Sequence, residues 1–226
     1  MTTPSLVILD MAGTTVEDNG QVPHAFASAL AANGLTVSDD DITRVRGASK
    51  REAIRQLLPR LREDASARQA LDFDAEADRI YAEFRRHLTL LYRSGVRAIP
   101  GAADVIRDLR SRGIKVALTT GFDRDIATSL LAAIGWTRDD VDAVVCGDEV
   151  PRGRPAPDLI FVAMKLTMVE DLSRVANVGD TIIDLESGAR AGVRWNIGVL
   201  SGAHSREALE RAPHTEIIDS VADLRF

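Results

Sequence analysis

The chain has a single cysteine, Cys146, so no intrachain disulfide framework holds it, a usage that suits a reducing cytoplasm. Cys146 closes the apolar run Ala143-Val144-Val145 and reads as a buried structural thiol, not a nucleophile. The N-terminus has no basic start with a long apolar run behind it, so no signal peptide is expected. No apolar stretch is long enough to span a bilayer, and no membrane partner is expected. Positive charge is not in excess: the formal net charge is -6 and the pI about 5.3, so nucleic acid is not an expected partner. Internal repeats and low-complexity linkers are absent. His24, His87, His204 and His214 show no ligand spacing with cysteine or each other, which excludes a zinc site. Gly188, Gly192, Gly198 and Gly202 do not form a dinucleotide fingerprint, which excludes a nicotinamide enzyme.

What the chain does have is enough apolar material for a full core, 45% hydrophobic residues over 226 positions, as one large domain or one domain with an insert. Strand-like and helical segments alternate, which predicts an α/β fold. Leu6 to Leu9 read as a short, doubly buried parallel strand that stops at Asp10. A polar turn around Asn19-Gly20 follows, then a helix opened by Pro23, and Asp39 to Asp41 precede another helical turn. Ser49 and Glu52 have capping-box spacing, with Lys50 the first helical residue and Pro59 interrupting the pattern. Phe73, Ile80, Phe84, Leu88 and Leu91 mark a long packed helix. After Pro100-Gly101 the chain repeats strand and helix units, with strands at Ile114 to Leu118, Ala143 to Cys146, Val175 to Val178, Trp195 to Leu200 and Glu216 to Ile218. The first strand therefore belongs with the later part. Residues 1–17 and 97–226 are expected to form the core, with 18–96 an inserted helical cap.

Between Arg44 and Arg62 lie six arginines and one lysine against one acid, Glu52. That is either a solvated helix face or a surface that meets an anion. Elsewhere, strand ends carry polar residues of one theme: Asp10 after the first, Thr120 and Gly121 after the second, Arg154 before a Pro-x-Pro helix start, and Asp180, Thr181 and Asp184 after a later strand. Ligands of open α/β sheets sit outside the carboxyl ends of the strands. Acids there can hold Mg2+, which uses few protein carboxylates and keeps waters. A hydroxyl, a backbone N–H and a cation can hold a phosphoryl group. Together they describe a carboxylate, Asp10, attacking phosphorus. Each piece alone has a bland reading as a turn, a helix cap or a surface cation; their order and spacing favour the chemistry.

The segments Asp10-Met11-Ala12-Gly13-Thr14-Thr15, Thr119-Thr120-Gly121, Arg154-Pro155-Ala156-Pro157 and Val178-Gly179-Asp180-Thr181-Ile182-Ile183-Asp184 resemble the motifs of the haloacid dehalogenase superfamily of hydrolases. The resemblance implies a Rossmann-like three-layer core with an inserted α-helical cap domain, and an aspartyl-enzyme intermediate. By position Asp10 would be the nucleophile, Thr120 and Arg154 would hold the transferring group, and Asp10, the Ala12 carbonyl and Asp180 would face Mg2+, with Asp184 in support. Phosphatases of that superfamily usually carry an acid where this chain has Ala12. Alanine cannot protonate a leaving alcohol. The first motif and Val150-Pro151-Arg152-Gly153-Arg154-Pro155 look most like the phosphonoacetaldehyde hydrolase branch, in which a cap lysine forms an imine with the substrate. Lys50, in Gly47-x-x-Lys50, matches that lysine, and Arg46, Gly47 and Gly121 fall beside it as substrate contacts. A helix N-terminus and the neighbours Arg46 and Arg51 would help keep Lys50 neutral. Two roles stay open for it, imine formation or contact with a substrate anion. Ala53, Phe122 and Arg46 depart from the branch's pattern. Phosphonoacetaldehyde leads as substrate, with another phosphonate or a phosphate ester as the alternative. A phosphatase or dehalogenase of the same superfamily and a non-catalytic binder of phosphorylated metabolites are the rivals. A homodimer through the cap is implied by the resemblance alone.

Overall fold

The computed structural model describes residues 3–62, 72–93 and 95–226. Residues 63–71 and 94 of the expected insert lie outside the described residues. Strand β1 (Leu6–Asp10) is buried along its whole length, as an apolar strand covered on both faces must be. Helices α1 (Gln21–Ala32), α2 (Asp39–Arg44), α3 (Lys50–Leu61) and α4 (Phe73–Arg93) follow. The remaining elements are α5 (Ala102–Ser111), β2 (Lys115–Thr119), α6 (Arg124–Ala133), β3 (Ala143–Val145), α7 (Asp158–Thr167), β4 (Val175–Gly179), α8 (Ile182–Ala191), β5 (Trp195–Val199), α9 (Arg206–Leu209) and β6 (Glu216–Ile218).

The strands form one sheet of order β3-β2-β1-β4-β5-β6, and every pairing is parallel. Alternate residues of β1 feed opposite faces. Val7 and Leu9 join Val116, Leu118, Ile106, Leu109, Ile126 and Leu130 in one apolar cluster. Leu6 and Ile8 join Ala117, Val145, Leu159, Ile160, Ala163 and Met164 in another. Helices α5 and α6 thus cover one face and α7 the other, the three layers of a Rossmann-like fold. The winding direction reverses between β1 and β4, which puts the ligand crevice at their carboxyl ends.

In the inserted stretch α1 and α4 pack along each other, with Phe26 edge-on to Phe84 at 6.2 Å, and α3 packs against α4. The outgoing and returning segments pair side by side. The Glu17 N–H donates to the Arg97 carbonyl and the Ile99 N–H to the Thr15 carbonyl, both at 2.9 Å.

Strand bounds move by at most one residue, as at Lys115–Thr119, Ala143–Val145 and Trp195–Val199, and the helices of the insert differ from the expectations at four places. Helix α1 begins at Gln21, ahead of Pro23, because the Asp18 carboxylate accepts the Val22 N–H at 3.1 Å. Asp39 to Asp41 are the first turn of α2, not its prelude, since Ser38 is the capping residue with Asp41 as its reciprocal partner. Ser49 does precede Lys50 at the start of α3, but the capping box does not form; Glu52 instead accepts from Arg55 at 2.8 Å and Gln56 at 2.9 Å. Pro59 does not end α3, which runs on to Leu61; the proline is exposed there. Cys146 is fully buried, and burial pushes its thiol up to about 12, so it is no nucleophile at neutral pH.

Candidate active site

Asp10 is the last residue of β1, in register with Thr119 of β2. Asp180 is the first residue beyond β4. The loop after Asp10 must turn at once under the Asp180 carboxylate. Gly13 makes that turn with φ 97°, and a Cβ there would lie 2.4 Å from the Asp180 Oδ2. The Thr15 hydroxyl donates to the Asp10 carbonyl at 2.9 Å, and the Thr14 hydroxyl donates to the Asp180 Oδ1 at 3.1 Å. The Ala203 N–H donates to the Asp180 Oδ2 at 2.7 Å. Hydroxyls and an amide thus hold the Asp180 carboxylate and the peptide carbonyl of Asp10.

Arg154 ties the acids together. Its Nη1 donates to the Asp10 Oδ1 at 2.5 Å and faces the Asp184 Oδ1 at 2.9 Å, while Nη2 donates to the Thr119 hydroxyl at 2.6 Å. The other Asp184 oxygen accepts from the Thr181 N–H at 3.1 Å and from the Thr181 hydroxyl, the capping box that starts α8. One carboxylate therefore both caps a helix and braces the arginine. Thr120 Oγ1 accepts the Phe122 N–H at 3.1 Å, which leaves its own proton free to donate.

The insert supplies the opposite wall. Lys50 is buried, its Nζ donates to the Ala48 carbonyl at 2.9 Å, and it stands 6.0 Å from the centre of the Phe122 ring. Burial lowers its pKa to about 8. Asp10 and Asp18 oppose that shift, and Arg154 and Arg46 add to it. Gly47 (φ 81°) and Ala48 press their carbonyls onto Gly121, where a Cβ would meet the Ala48 oxygen at 2.8 Å and the Gly47 oxygen at 2.9 Å. A cavity of about 50 Å³ lies beneath, lined among others by Asp10, Ala12, Lys50, Thr120, Arg154 and Asp180. Arg46, Gly47 and Gly121 line it too, while Asp184 stands behind Arg154.

Burial raises the Asp10 pKa to about 7; Arg154 pulls it down and Asp184 pushes it up. Asp180 is raised well above the usual carboxylate range, first by burial and then by Asp10 and Asp184. Three carboxylates are thus buried together, two of them paired with Arg154, and a cation among them would relieve the repulsion. Among the described residues no three carboxylate, histidine or cysteine side chains converge as a full ligand set. A hard cation held by Asp10, Asp180, the Ala12 carbonyl oxygen and waters fits the residues present.

Sequence spacing missed the apolar side of the cavity, Val22, Pro23, Phe26 and Ile42, and the acid Asp18. Those residues carry only turn and helix-packing signals, so nothing local marks them. The basic stretch resolves into both of its readings. Arg51 pairs with Asp78, Arg55 with Glu52, Arg60 with Asp41 and Arg62 with Glu76, so those cations are structural. Lys50 and Arg46 are its members in the cavity wall. His24 is exposed on α1, and His204 accepts the Ile182 N–H at 3.0 Å through Nδ1, a bracing contact.

Residues 4–192 match the family model for haloacid dehalogenase-like hydrolases. A phosphonoacetaldehyde hydrolase of Bacteroides fragilis is 30% identical over 227 residues, covering 97% of this chain and 86% of the relative. One from Bacillus cytotoxicus is 32% identical over 223 residues, covering 96% and 82%. Among solved structures, a hydrolase from Pseudomonas syringae superposes with a TM-score of 0.84 at 25% identity, over 98% of this chain and 95% of that one. A phosphonoacetaldehyde hydrolase-like protein from Oleispira antarctica gives 0.82 at 28% identity, over 98% and 90%.

Proposed function

This chain belongs to the haloacid dehalogenase-like hydrolases, and within that family we propose that it is a Mg2+-dependent phosphonatase-like enzyme whose best candidate substrate is phosphonoacetaldehyde. The observation that carries the reading is a buried lysine, with its pKa brought down to about 8, in the same small cavity as a strand-end carboxylate. A lysine attacks a carbonyl only when neutral, and burial supplies a neutral fraction near physiological pH.

In this reading residues 1–17 and 97–226 are the catalytic core and 18–96 the cap. Asp10, Asp180 and the Ala12 carbonyl hold Mg2+, which, when bound, offsets the charge of the phosphoryl oxygens. Thr120, Arg154 and the backbone at Gly121 hold those oxygens in place. Lys50 Nζ adds to the substrate carbonyl and expels water, leaving an imine. Asp10 attacks phosphorus, and the P–C bond breaks with its electron pair drawn into an enamine. Water then hydrolyses both the enamine and the aspartyl phosphate. Phe122 and the apolar wall keep bulk water from the imine. Ala12 fits this order of events, because a carbon leaving group stabilised on Lys50 needs no acid at that place, whereas a phosphomonoester would.

Phosphate release from phosphonoacetaldehyde with Mg2+ tests the activity. Lys50→Arg keeps the charge but cannot form an imine, so its turnover should fall to background. Borohydride with substrate should attach a reduced adduct to Lys50 of the wild type; the chain has only three lysines, Lys50, Lys115 and Lys165, so peptide mass mapping is unambiguous. A Lys50→Arg enzyme of near-normal rate removes the imine step. Turnover of phosphate monoesters in its place makes the enzyme a phosphatase, and dehalogenation that survives chelation makes it a dehalogenase.

A further inference from the structure

Arg46 stands apart from the other cations of its stretch. Among the described residues its guanidinium has no ion-pair or hydrogen-bond partner, although its neighbours Arg44 and Arg51 pair with Asp41 and Asp78. It is half-buried and lines the cavity, whose wall also includes the apolar Ile42, Val45, Val22 and Phe26. A partly desolvated guanidinium without an acceptor is unfavourable, and an anion is the natural complement. The one acid on the cap side, Asp18, takes up the Val22 N–H and acts on Lys50 and Tyr92, whereas Arg46 acts on Lys50 and His204. Among the described residues no ion pair joins Asp18 to Arg46.

We propose that Arg46 receives a carboxylate carried by the substrate, and that the substrate is a small 3-phosphono-2-oxo acid. The inference rests on the reading of Lys50 and Asp10 given above and puts a 2-oxo acid in place of the aldehyde as the preferred substrate. Asp10, Thr120 and Arg154 reach the cavity from the core, and Lys50 and Arg46 reach it from the insert, at the start of α3 and in the loop before it. A molecule with a phosphonyl group, a carbonyl and a carboxylate has a partner for each. A carboxylate is the smallest anion that a planar guanidinium binds through two parallel N–H groups. An aldehyde would present only hydrogen to that wall.

The chemistry balances without a further reactant. Lys50 Nζ condenses with the 2-oxo group and releases water. An Asp10 oxygen forms a P–O bond as the P–C bond breaks, and its electron pair becomes the enamine C=C while the iminium nitrogen becomes neutral. Protonation at carbon and hydrolysis release the 2-oxo acid without its phosphonyl group, and water releases phosphate from Asp10.

A matched pair of non-reacting probes separates this proposal from the catalytic reading. 3-Phosphonopropanoate carries both anions, and propylphosphonate keeps the shape without the carboxylate. By calorimetry with Mg2+ present, the wild type should bind 3-phosphonopropanoate about 10- to 100-fold more tightly, the usual worth of a charge-assisted pair. In Arg46→Met that ratio should collapse towards one, and Arg46→Lys should restore part of it. In turnover, the wild-type ratio of kcat/KM for 3-phosphono-2-oxopropanoate over phosphonoacetaldehyde should exceed one and fall in Arg46→Met, mainly through KM. Equal affinities for the two probes in the wild type overturn the proposal whatever the activity. A preference that disappears with Arg46 sustains carboxylate recognition even if neither carbonyl substrate turns over, and in that case it is the imine reading that fails.

Discussion

Lys50 is a primary amine buried where its cation is unwelcome. Its pKa of about 8 makes the sign of a pH experiment clear. If Lys50 attacks as a neutral amine, kcat/KM rises through about pH 8 and levels off above it; if it binds an anion as a cation, the rate falls over the same range. The Asp10 limb, at about 7 in the protein alone, would move lower with Mg2+ bound and would not obscure this one. Stability carries the same information. Lys50 has a folded pKa of about 8 against an ordinary 10.5, so between these values the unfolded chain binds more protons and stability rises with pH; below about 8 the full penalty is present. Lys50→Met should therefore be inactive yet more stable at pH 7, by about 1–3 kcal/mol once the lost bond to the Ala48 carbonyl is included. Thermal melts at pH 7 and 10 check it, with the gap between variants narrowing at the higher pH.

At the scale of elements, the insert meets the core backbone to backbone. The carbonyls of Gly47 and Ala48 rest on Gly121, and Gly147 lies beneath, where a Cβ would meet the Gly121 oxygen at 2.7 Å. Gly121 is a glycine for space and Gly47 also for its backbone angle, φ 81°. Gly121→Ala should lift the loop carrying Arg46 and Lys50 off the site. A displacement near 1 Å should lower kcat/KM on the order of 100-fold while the melting temperature moves little; unchanged kinetics would show the contact to be incidental. The β elements were readable because each is a short, largely apolar run of strand length. So was the polar set Asp10, Thr120, Arg154 and Asp180, which lines one cavity. The helix starts at Gln21 and Asp39 and the passage of α3 through Pro59 were not, because a side-chain cap or an exposed ring decides them. Nor could the pairing of Arg51 and Arg62 be read locally, since Asp78 and Glu76 come from α4, beyond any short window.

The whole molecule concentrates negative charge at one point of the sheet. Asp10, Asp180 and Asp184 are all buried at the switch between β1 and β4, where strand order reverses. A bound Mg2+ should stabilise the fold by relieving them. At 100 times its Kd the gain would be about 2.7 kcal/mol, which for a chain of this size is several degrees, roughly 2–4 °C per kcal/mol. Asp180→Asn should abolish that Mg2+-dependent rise in a calorimetric scan, and a wild type whose melting ignores Mg2+ would remove the metal from the proposal. The helical insert, by contrast, is acid and base in close pairs, and among the described residues no helix is long and apolar enough to cross a membrane.

The paired segments where the insert leaves and returns have a mechanical meaning. Thr15 accepts the Ile99 N–H through its carbonyl and with its hydroxyl holds the carbonyl of Asp10. The base of the insert and the peptide of Asp10 are thus joined through a single residue. A rotation of the insert that opens the cavity would be felt at Asp10 as a tug on its own peptide, so access and aim would be set by the same movement.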